Sequence, residues 1–457
     1  MNDRDGYDLG PDRLFPGLAD PVLSSASLLN EIASRHPHAI PMAAGRPYDD
    51  FFDPAELPGL IGDYQRHLSN ELGLDRVEVT RRLFQYGRTA GHIGALVART
   101  LAHDHGITAD PDAIVVLTGA QEGMFTVARA LCASPRDVLL VTSPCYVGML
   151  GAAKLLGIET AAVPERPDGL AAADVAAVAA RIRSAGRRPV ALYLVPNFSN
   201  PSGHTLTLTQ RRELLEVAAT HRMLLIEDDP YGFLADSSCR VPALKALDRD
   251  RRVVHIGTFA KTCFPGARVG YVVADQRVGL PDGGRGLLAD QLALIRSMIT
   301  VNTSAIAQAV IGGMLLRCGG RLSEANQGRV AHYRRNLTML LHALEREFPP
   351  AVREAYGVSW TQPVAGFFVV LRVPFVVDDD TLRLSATRYG VLWMPMSYFY
   401  VGGGPRRELR LSCSALDPEQ IDEGVRRVAA LVRDCAGNEE DNRDDDATVP
   451  ADAVHRS

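Results

Sequence analysis

Short apolar runs alternate with helix-like stretches through the middle of the chain. The runs are continuously apolar, which is typical of strands that are covered on both faces of a sheet. The helix-like stretches include residues 121–133, 171–185 and 208–221, and Thr207 and Gln210 have the spacing of a capping box at the start of the last one. This order predicts β-α-β units that build a mostly parallel sheet. The predicted strands are residues 114–117, 138–141, 190–195, 223–227, 253–257 and 269–273.

The pattern becomes one long helical stretch around residues 287–304 and changes again beyond residue 308. Short strands among helices predict a smaller α+β unit there. Its predicted elements are a helix at 329–347, strands at 367–372 and 408–412, and a last helix that opens with Asp417 as N-cap and Pro418 in the first turn.

We therefore expect an α/β protein with a large domain on a mostly parallel sheet and a smaller α+β domain. The last part of the chain is polar and acidic, which favours disorder. The predicted boundaries are an N-terminal segment at 1–75 that packs on the small domain, the large domain at 76–307, the small domain at 308–435 and a disordered acidic tail at 436–457.

The composition argues against several classes of function. The chain has 457 residues, 46% of them hydrophobic, which is enough for two domains with sizeable cores. A formal net charge of -5 gives no basic face for nucleic acid. The 7 cysteines form no C-x-x-C pair, which favours a reduced, cytoplasmic protein without a metal site. We expect no signal peptide and no membrane span, because no apolar stretch is suitable for either.

One lysine, Lys261, lies in a small polar turn after an apolar strand, and Arg268 follows it after a Pro-Gly turn. A single loop lysine is most often a surface residue. A buried lysine, in contrast, has a lowered pKa and an amine that is free for Schiff-base chemistry. Thr258 and Arg268 can hold a phosphate beside it. A lysine next to a phosphate clamp is what pyridoxal phosphate requires.

Polar residues also follow the two preceding strands, where ligands bind in parallel sheets. Asp228 can pair with the pyridine nitrogen of the cofactor and keep the ring protonated. Tyr231 can donate to the phenolic oxygen of the ring, and Asn200 can bond both that oxygen and a substrate carboxylate. Asp229 is interpreted as a cap of the strand end. The run around Asn200 is equally compatible with a shaped loop that binds nothing.

Two upstream features complete the set. Gly119, Ala120 and Gln121 join the first strand to a helix, whose N-terminus presents free N–H donors to a phosphate. Tyr146, after the second strand, can stack on a cofactor ring. Each feature alone has an ordinary structural explanation, since other β-α turns and packed tyrosines look similar.

Together these motifs resemble the class I/II aminotransferase family of fold type I pyridoxal-phosphate enzymes, in the branch of the aminoadipate and kynurenine aminotransferases and the MocR-type regulators. The resemblance covers roughly residues 41–432 and rests mainly on 197–203, 227–232 and 257–270. It implies a homodimer that acts on an amino acid and a 2-oxo acid. The implied catalytic residues are Lys261, Asp228 and Tyr231, and the implied substrate contacts are Arg410, Asn200 and Gly45. Tyr86 is implied to reach the cofactor of the partner subunit. The full set of implied cofactor contacts is Lys261, Ala120, Gln121, Tyr146, Asn200, Asp228, Tyr231, Thr258, Arg268 and Tyr86.

Two positions depart from the family pattern. Ala260 stands where a serine usually precedes the lysine, and Ala120 stands where the upstream loop usually has a serine. Each change removes one hydroxyl from the phosphate site. Fewer side-chain contacts to the phosphate are therefore expected, and backbone N–H groups must supply more of them.

A finer resemblance, at 20–25, 45–48, 51–52 and 84–89, is to the dihydroxyphenylglycine and phenylglycine aminotransferases of actinobacterial peptide-antibiotic pathways. It implies amino transfer to or from an aromatic or bulky apolar amino acid, with an arylglycine as one candidate.

Two alternative functions stay open. The first is another pyridoxal-phosphate reaction, namely replacement at the β or γ carbon, C–C bond formation or oxidation. The second is a MocR-like ligand-binding regulatory module, and the absence of a winged-helix region argues against it. The aromatic residues that either shape a substrate pocket or pack as ordinary core are Tyr48, Phe51, Phe52, Tyr398, Phe399 and Tyr400.

Overall fold

A computed structural model describes residues 9–236 and 238–446 of the chain. The α-helices there are α1 Pro21–Arg35, α2 Leu57–Asn70, α3 Arg76–Phe84, α4 Gly94–His105, α5 Ala120–Leu131, α6 Val147–Leu155, α7 Ala172–Ser184, α8 Leu208–Thr220, α9 Leu244–Leu247, α10 Leu288–Ser297, α11 Ala305–Arg317, α12 Leu322–Ala325, α13 Gln327–Glu347, α14 Pro350–Tyr356, α15 Asp379–Leu384 and α16 Pro418–Asp446. The strands there are β1 Ile40–Pro41, β2 Ile114–Leu117, β3 Asp137–Ser143, β4 Glu159–Arg166, β5 Gly169–Leu170, β6 Arg188–Leu194, β7 Leu224–Asp228, β8 Val253–Thr258, β9 Gly270–Val273, β10 Arg277–Gly279, β11 Arg285–Leu287, β12 Ser359–Trp360, β13 Phe368–Val377, β14 Val391–Leu392, β15 Met394–Pro395 and β16 Arg406–Ser412.

The large sheet has the strand order β2-β9-β8-β7-β6-β3-β4-β5. Neighbours from β8 to β4 run parallel, whereas β9 is antiparallel to both β2 and β8. Each predicted strand is present, and the predicted capping box forms at the start of α8. The sequence pattern misses β4 because most of its side chains are exposed or half-buried, so it lacks the continuous apolar run of an inner strand.

The smaller sheet is antiparallel in the order β12-β13-β16-β15. Helices α13 and α16 pack together and bury their apolar faces against it, around Trp393 and Leu409. The N-terminal part of the chain adds to this core, because β1 pairs with β14 and α1 contributes Ile32. This packing carries the 40–45 segment past the end of the large sheet, where it contacts the candidate site.

Within residues 1–75, the described stretch from α1 to β1 packs on the smaller sheet. Helix α2 packs instead on α11, where Tyr64 and Leu68 join the core of the large domain. The two helices approach so closely that a Cβ on Gly313 would lie 2.0 Å from the Leu60 carbonyl oxygen. A glycine that permits such an approach looks like any helical glycine in the sequence.

Two helices, α10 and α16, end at positions that the sequence pattern does not indicate. The stretch at 287–304 is not one helix: α10 ends at Ser297, and Val301 in the following linker has a φ of 63°. β-Branched and short polar residues are poor helix formers, which explains the interruption. Helix α16 continues to Asp446, into the range 436–457 that is predicted to be an acidic tail; residues 447–457 lie outside the described residues.

No helix between residues 9 and 446, residue 237 aside, is long and apolar enough to cross a membrane. The same part of the chain contains no cluster of His, Cys, Asp and Glu side chains that could hold a metal ion.

Candidate active site

The candidate site lies where the carboxyl ends of β6, β7 and β8 face the smaller sheet. Asp228 ends β7, Lys261 follows β8, and Asn200 lies in the loop after β6. Arg410 comes from β16 in the smaller sheet, and its guanidinium donates to the Asn200 side chain from 210 positions away in the sequence. The site is therefore assembled by the meeting of two sheets.

The amine of Lys261 is enclosed and has no carboxylate beside it among the described residues. Its Nζ donates to the Gly45 carbonyl oxygen at 2.6 Å. Burial, together with the positive charges of Arg410 and Arg268, lowers the pKa of Lys261 to about 8. A lysine in this environment supplies a neutral, nucleophilic amine far more readily than an exposed lysine does.

The carboxylate of Asp228 has one satisfied and one unsatisfied oxygen. Oδ2 accepts a hydrogen bond from the Tyr193 hydroxyl at 2.7 Å, whereas the buried Oδ1 has no partner in the described structure. Burial raises the pKa of Asp228 to about 7, the Tyr193 hydrogen bond lowers it, and the charge of Asp229 raises it. Because an unsatisfied buried acceptor is costly, Oδ1 is a binding position for an N–H donor.

The sequence analysis assigns no role to Tyr193. The parallel ladder between β6 and β7 places Tyr193 beside Ile226, so its side chain shares a face with Asp228 two positions further along. The sequence signal is a single tyrosine within an otherwise aliphatic buried strand. Its partner becomes evident only when the strand pairing is known.

The neighbouring carboxylate, Asp229, accepts hydrogen bonds at the end of β7, as expected for a residue that caps the strand end. Its Oδ2 accepts from Asn197 Nδ2 at 2.9 Å, and its Oδ1 accepts from the Gly232 N–H at 2.8 Å. The side-chain oxygen Oδ1 of Asn197 accepts from the buried Arg211 at 2.5 Å. Both oxygens of Asp229 are thus used within the protein, which leaves Asp228 to face the site.

Arg410 is a buried cation without a carboxylate partner among the described residues. One Nη donates to the Ala43 carbonyl at 2.6 Å and the other to Asn200, while Nε has no partner in the described structure. The guanidinium lies 4.2 Å from the ring centre of Phe368 and 4.9 Å from that of Phe399. Burial lowers the pKa of Arg410 to about 10. Such a cation is suited to a carboxylate ligand.

The N-terminus of α5 and Arg268 face each other. Gly119 has a φ of 82°, and a Cβ there would lie 2.6 Å from Arg268 Nη2, so the guanidinium lies directly against this turn. The Arg268 side chain makes no ion pair within the described part of the chain. Ala120 begins α5, where the first N–H groups of a helix lack intrahelical partners. This end of the site can bind a phosphate.

The other predicted phosphate contacts are only partly available. The Gln121 side chain donates to the Gly148 carbonyl at 2.7 Å, so only its backbone N–H is free to meet a phosphate. Thr258 Oγ1 accepts from the Ala260 N–H at 3.1 Å and keeps its own hydroxyl hydrogen for another acceptor. The donors left for a phosphate at this end are therefore Arg268, the Thr258 hydroxyl and backbone N–H groups.

The three predicted tyrosines occupy different environments. Tyr231 is buried, is hydrogen-bonded to the Asn200 side chain and meets Phe367 edge-on at 5.3 Å. Tyr146 is the N-cap residue of α6, and burial, with the nearby charge of Asp228, raises its pKa. Tyr86 is 84% exposed and does not reach the site of its own chain.

The six predicted pocket aromatics divide into two groups. Tyr48 stacks on His332 with ring centres 4.6 Å apart, and Phe51 packs edge-on against both rings. Phe52 packs beside Phe264 next to them. This group borders the segment that holds Gly45.

The second group is split. The ring of Phe399 lies against Arg410 at the site. Tyr398 and Tyr400 pack in the same apolar cluster as Phe399, but their hydroxyls donate to Asp379 and Glu408. The hydroxyls of Tyr398 and Tyr400 are therefore engaged within the small domain, and Phe399 is the member of this group that contacts Arg410.

The residues of the site fit pyridoxal phosphate. The unsatisfied Asp228 Oδ1 matches the protonated ring nitrogen, and the neutral amine of Lys261 matches the aldehyde. Arg268 and the N-terminus of α5 match the phosphate. Arg410 remains for the carboxylate of a substrate. These four requirements are met by different chemical groups, which makes a chance fit improbable.

Comparisons with known proteins agree with this chemistry. The sequence profile named "Aminotransferase class I and II" matches residues 69–428. The chain is 48% identical over 424 residues to (S)-3,5-dihydroxyphenylglycine transaminase of Amycolatopsis orientalis, covering 93% of this chain and 94% of that protein. It is 26% identical to aromatic-amino-acid aminotransferase 1 of Thermococcus litoralis over 86% of this chain and 88% of that protein.

A solved structure agrees as well. Kynurenine aminotransferase of Pyrococcus horikoshii superposes with a TM-score of 0.76 at 26% identity, covering 93% of this chain and 98% of that one. The predictions of the fold class, of an aminotransferase and of pyridoxal phosphate as cofactor are confirmed by these findings. The chain belongs to the class I and II aminotransferase family of pyridoxal-phosphate enzymes.

Proposed function

We propose that this aminotransferase moves an amino group between an aromatic or bulky apolar amino acid, such as an arylglycine, and a 2-oxo acid in specialised metabolism. The observation that carries the proposal is the buried Arg410 without a carboxylate partner in the described chain, opposite Lys261 and among aromatic rings. A relative at 48% identity is named as a dihydroxyphenylglycine transaminase, which supports the same substrate class.

The substrate carboxylate is assigned to Arg410 and Asn200. The guanidinium is fixed by its hydrogen bond to the Ala43 carbonyl and by its contact with Phe368, so its fork is oriented before a substrate binds. A bidentate pair with the carboxylate fixes the position of the substrate Cα–H bond. Asn200 restrains the same guanidinium, which couples the large domain to the smaller sheet.

Proton transfer at the substrate Cα is assigned to Lys261. When bound, pyridoxal phosphate supplies the electron sink that makes this proton acidic. Lys261 is suited to remove and return the proton because burial lowers the pKa of its amine to about 8, closer to neutral pH than that of an exposed lysine. Asp228 would hold the ring nitrogen, and Tyr231 and Asn200 would hold the phenolic oxygen of the ring.

The substrate side chain is assigned to the region around Tyr48, Phe51 and Phe52. Phe51 and Phe52 also lie beneath the guanidinium of Arg329, at 5.5 and 5.4 Å. Arg329 is engaged by the carbonyls of Thr262 and Cys263 and is not available to a second substrate carboxylate. An acidic side chain therefore gains little in this region, whereas an aromatic ring gains apolar contacts.

The active unit is proposed to be a homodimer. Several large apolar side chains are strongly exposed in the single chain, including Tyr86 and Met298 at 84% each and Phe84 at 72%. Exposed apolar groups of this size are typical of an interface. Tyr86 does not contact the site of its own chain, and a two-fold arrangement would let it contact the partner's cofactor.

The test is a spectral screen of the holoenzyme with single amino acids. Conversion of the bound cofactor to pyridoxamine phosphate is expected with aromatic amino acids and arylglycines, followed by its return with a 2-oxo acid. Faster conversion by aspartate or glutamate than by every aromatic amino acid would reject the substrate class. If no amino acid produced pyridoxamine phosphate, another pyridoxal-phosphate reaction or a regulatory role would replace the proposal.

A further inference from the structure

We propose that Tyr193 is a positioning residue for the cofactor: its hydroxyl holds Asp228 as a carboxylate and turns Oδ1 towards the ring nitrogen. The inference rests on pyridoxal phosphate as cofactor and is independent of which amino acid is the substrate.

The described part of the protein holds only one oxygen of the Asp228 carboxylate. Tyr193 lies in β6 with none of its side chain exposed, and its hydroxyl donates to Asp228 Oδ2 at 2.7 Å. The other neighbour of this hydroxyl is the Met124 sulfur at 3.9 Å, a weak acceptor. The hydroxyl hydrogen therefore points to Asp228, and rotation of the carboxylate would break this bond. Oδ1 is left to face the cofactor.

The charge on Asp228 depends on the same bond. Burial of Asp228 and the charge of Asp229 both favour the protonated carboxylic acid, whereas the Tyr193 hydrogen bond and the charge of His255 favour the carboxylate. Asp229 and Glu227 are committed to other partners and offer no donor to Asp228. Tyr193 is thus the one hydrogen-bond donor to Asp228 in the described chain, and its loss shifts the balance towards the acid.

The protonation state of Asp228 decides where the ring proton lies. A carboxylate keeps the proton on the ring nitrogen, which makes the ring a strong electron sink. A carboxylic acid instead donates to an unprotonated ring nitrogen. Tyr193 therefore acts on the cofactor through Asp228, without contacting the substrate. A tyrosine that only filled the core would have no effect on the ring proton.

The test compares Tyr193→Phe with the wild-type protein after reconstitution with cofactor that carries an isotopic label on its ring nitrogen. The nitrogen NMR resonance is expected to move towards that of an unprotonated pyridine. The equilibrium dissociation constant for pyridoxal phosphate is expected to rise about ten-fold, as for the loss of a hydrogen bond to a charged group. Tyr64→Phe is the matched control, since Tyr64 is equally buried but lies in α2, and it should change neither quantity.

The two readouts also distinguish this inference from the proposed function, because neither uses a substrate. A folded Tyr193→Phe protein with the wild-type resonance and affinity would overturn the inference. If Tyr193→Phe did not fold, para-aminophenylalanine at position 193 would keep the shape of the side chain and replace the hydroxyl with a weaker hydrogen-bond donor. A smaller shift of the same sign would then support the role, and an unchanged resonance would reject it.

Discussion

At the scale of single residues, the site places three positively charged side chains around one carboxylate. Lys261, Arg268 and Arg410 have no carboxylate partner in the described structure, and Asp228 has an unsatisfied oxygen. The three cations disfavour one another, which is one reason why the pKa of Lys261 is low. Repulsion between these cations destabilises the cofactor-free protein, and the same charges favour the binding of a phosphate and a carboxylate.

The pKa of Lys261 leads to a prediction for cofactor binding. Because the folded-state pKa is about 8, below the ordinary 10.5, the neutral amine forms at a lower pH than in an exposed lysine. The rate of covalent attachment of pyridoxal phosphate to the cofactor-free protein should rise with pH and level off above about 8. Arg410→Gln removes a neighbouring positive charge and should move this midpoint upward. Borohydride reduction and peptide mapping should place the label on Lys261, and a label on another lysine would reject the assignment.

Arg410 leads to a second prediction at this scale. Arg410→Lys keeps the charge but loses the planar fork that pairs with a carboxylate. We expect the KM for the amino acid to rise by about 10- to 100-fold, the effect of losing a charged hydrogen bond. Steady-state kinetics would measure it, with Arg372→Lys as the control, since Arg372 forms an exposed ion pair with Glu408 in the same sheet. A KM unchanged from wild type would remove Arg410 from the substrate site.

At the scale of elements, the turn from β2 into α5 has to admit Arg268 at close range. Only glycine fits position 119, because a side chain would meet the guanidinium and would require a φ of 82°. Ala120 and Ala260 leave few hydroxyls at this end, so the approach of Arg268 carries more of the phosphate binding.

Gly119→Ala should therefore weaken cofactor binding by about ten-fold, because the displaced guanidinium loses a charged contact with the phosphate. Equilibrium dialysis of pyridoxal phosphate measures the change. Gly106→Ala is the control: its φ of 66° imposes backbone strain as well, but a Cβ there would contact nothing within 4 Å. Equal losses of affinity in the two variants would attribute the effect to backbone strain and contradict the prediction.

At the scale of the whole molecule, the exposed apolar residues Tyr86, Met298 and Val301 need a covering surface. The strained backbone at Val301 lies in the linker after α10, and Thr300 in the same linker donates to Glu122 at 2.5 Å. Glu122 lies in the first turn of α5, at the phosphate end. The proposed interface and the cofactor site are therefore adjacent.

Met298→Asp should dissociate the proposed dimer and lower cofactor affinity, since a buried charge at an interface is costly. Sedimentation velocity and cofactor titration would measure both effects. Leu384→Asp, at a 40% exposed position in α15, is the control and should leave the assembly unchanged. A wild-type protein that sediments as a fully active monomer would refute the dimer.

Much of the fold could be predicted from the sequence because the relevant signals are local. The buried strands are continuous apolar runs, and the capping box at Thr207 and Gln210 depends on two residues three positions apart. The lysine turn and the strand ends at Asp228 and Asn200 are also local motifs. The packing of α2 could not be predicted, because it depends on the close approach permitted by Gly313 on another helix.

The sequence by itself determined which groups are candidates for the chemistry, since Lys261, Asp228 and Arg410 are identified by motifs that a chain can display without being folded. The tertiary structure decided which of their atoms remain free. Only strand pairing places Tyr193 on one oxygen of Asp228, and only the meeting of two sheets leaves Arg410 without a carboxylate in the described chain. Hydrogen-bond partners and burial depend on residues that are distant in sequence, and these set the charge of each group.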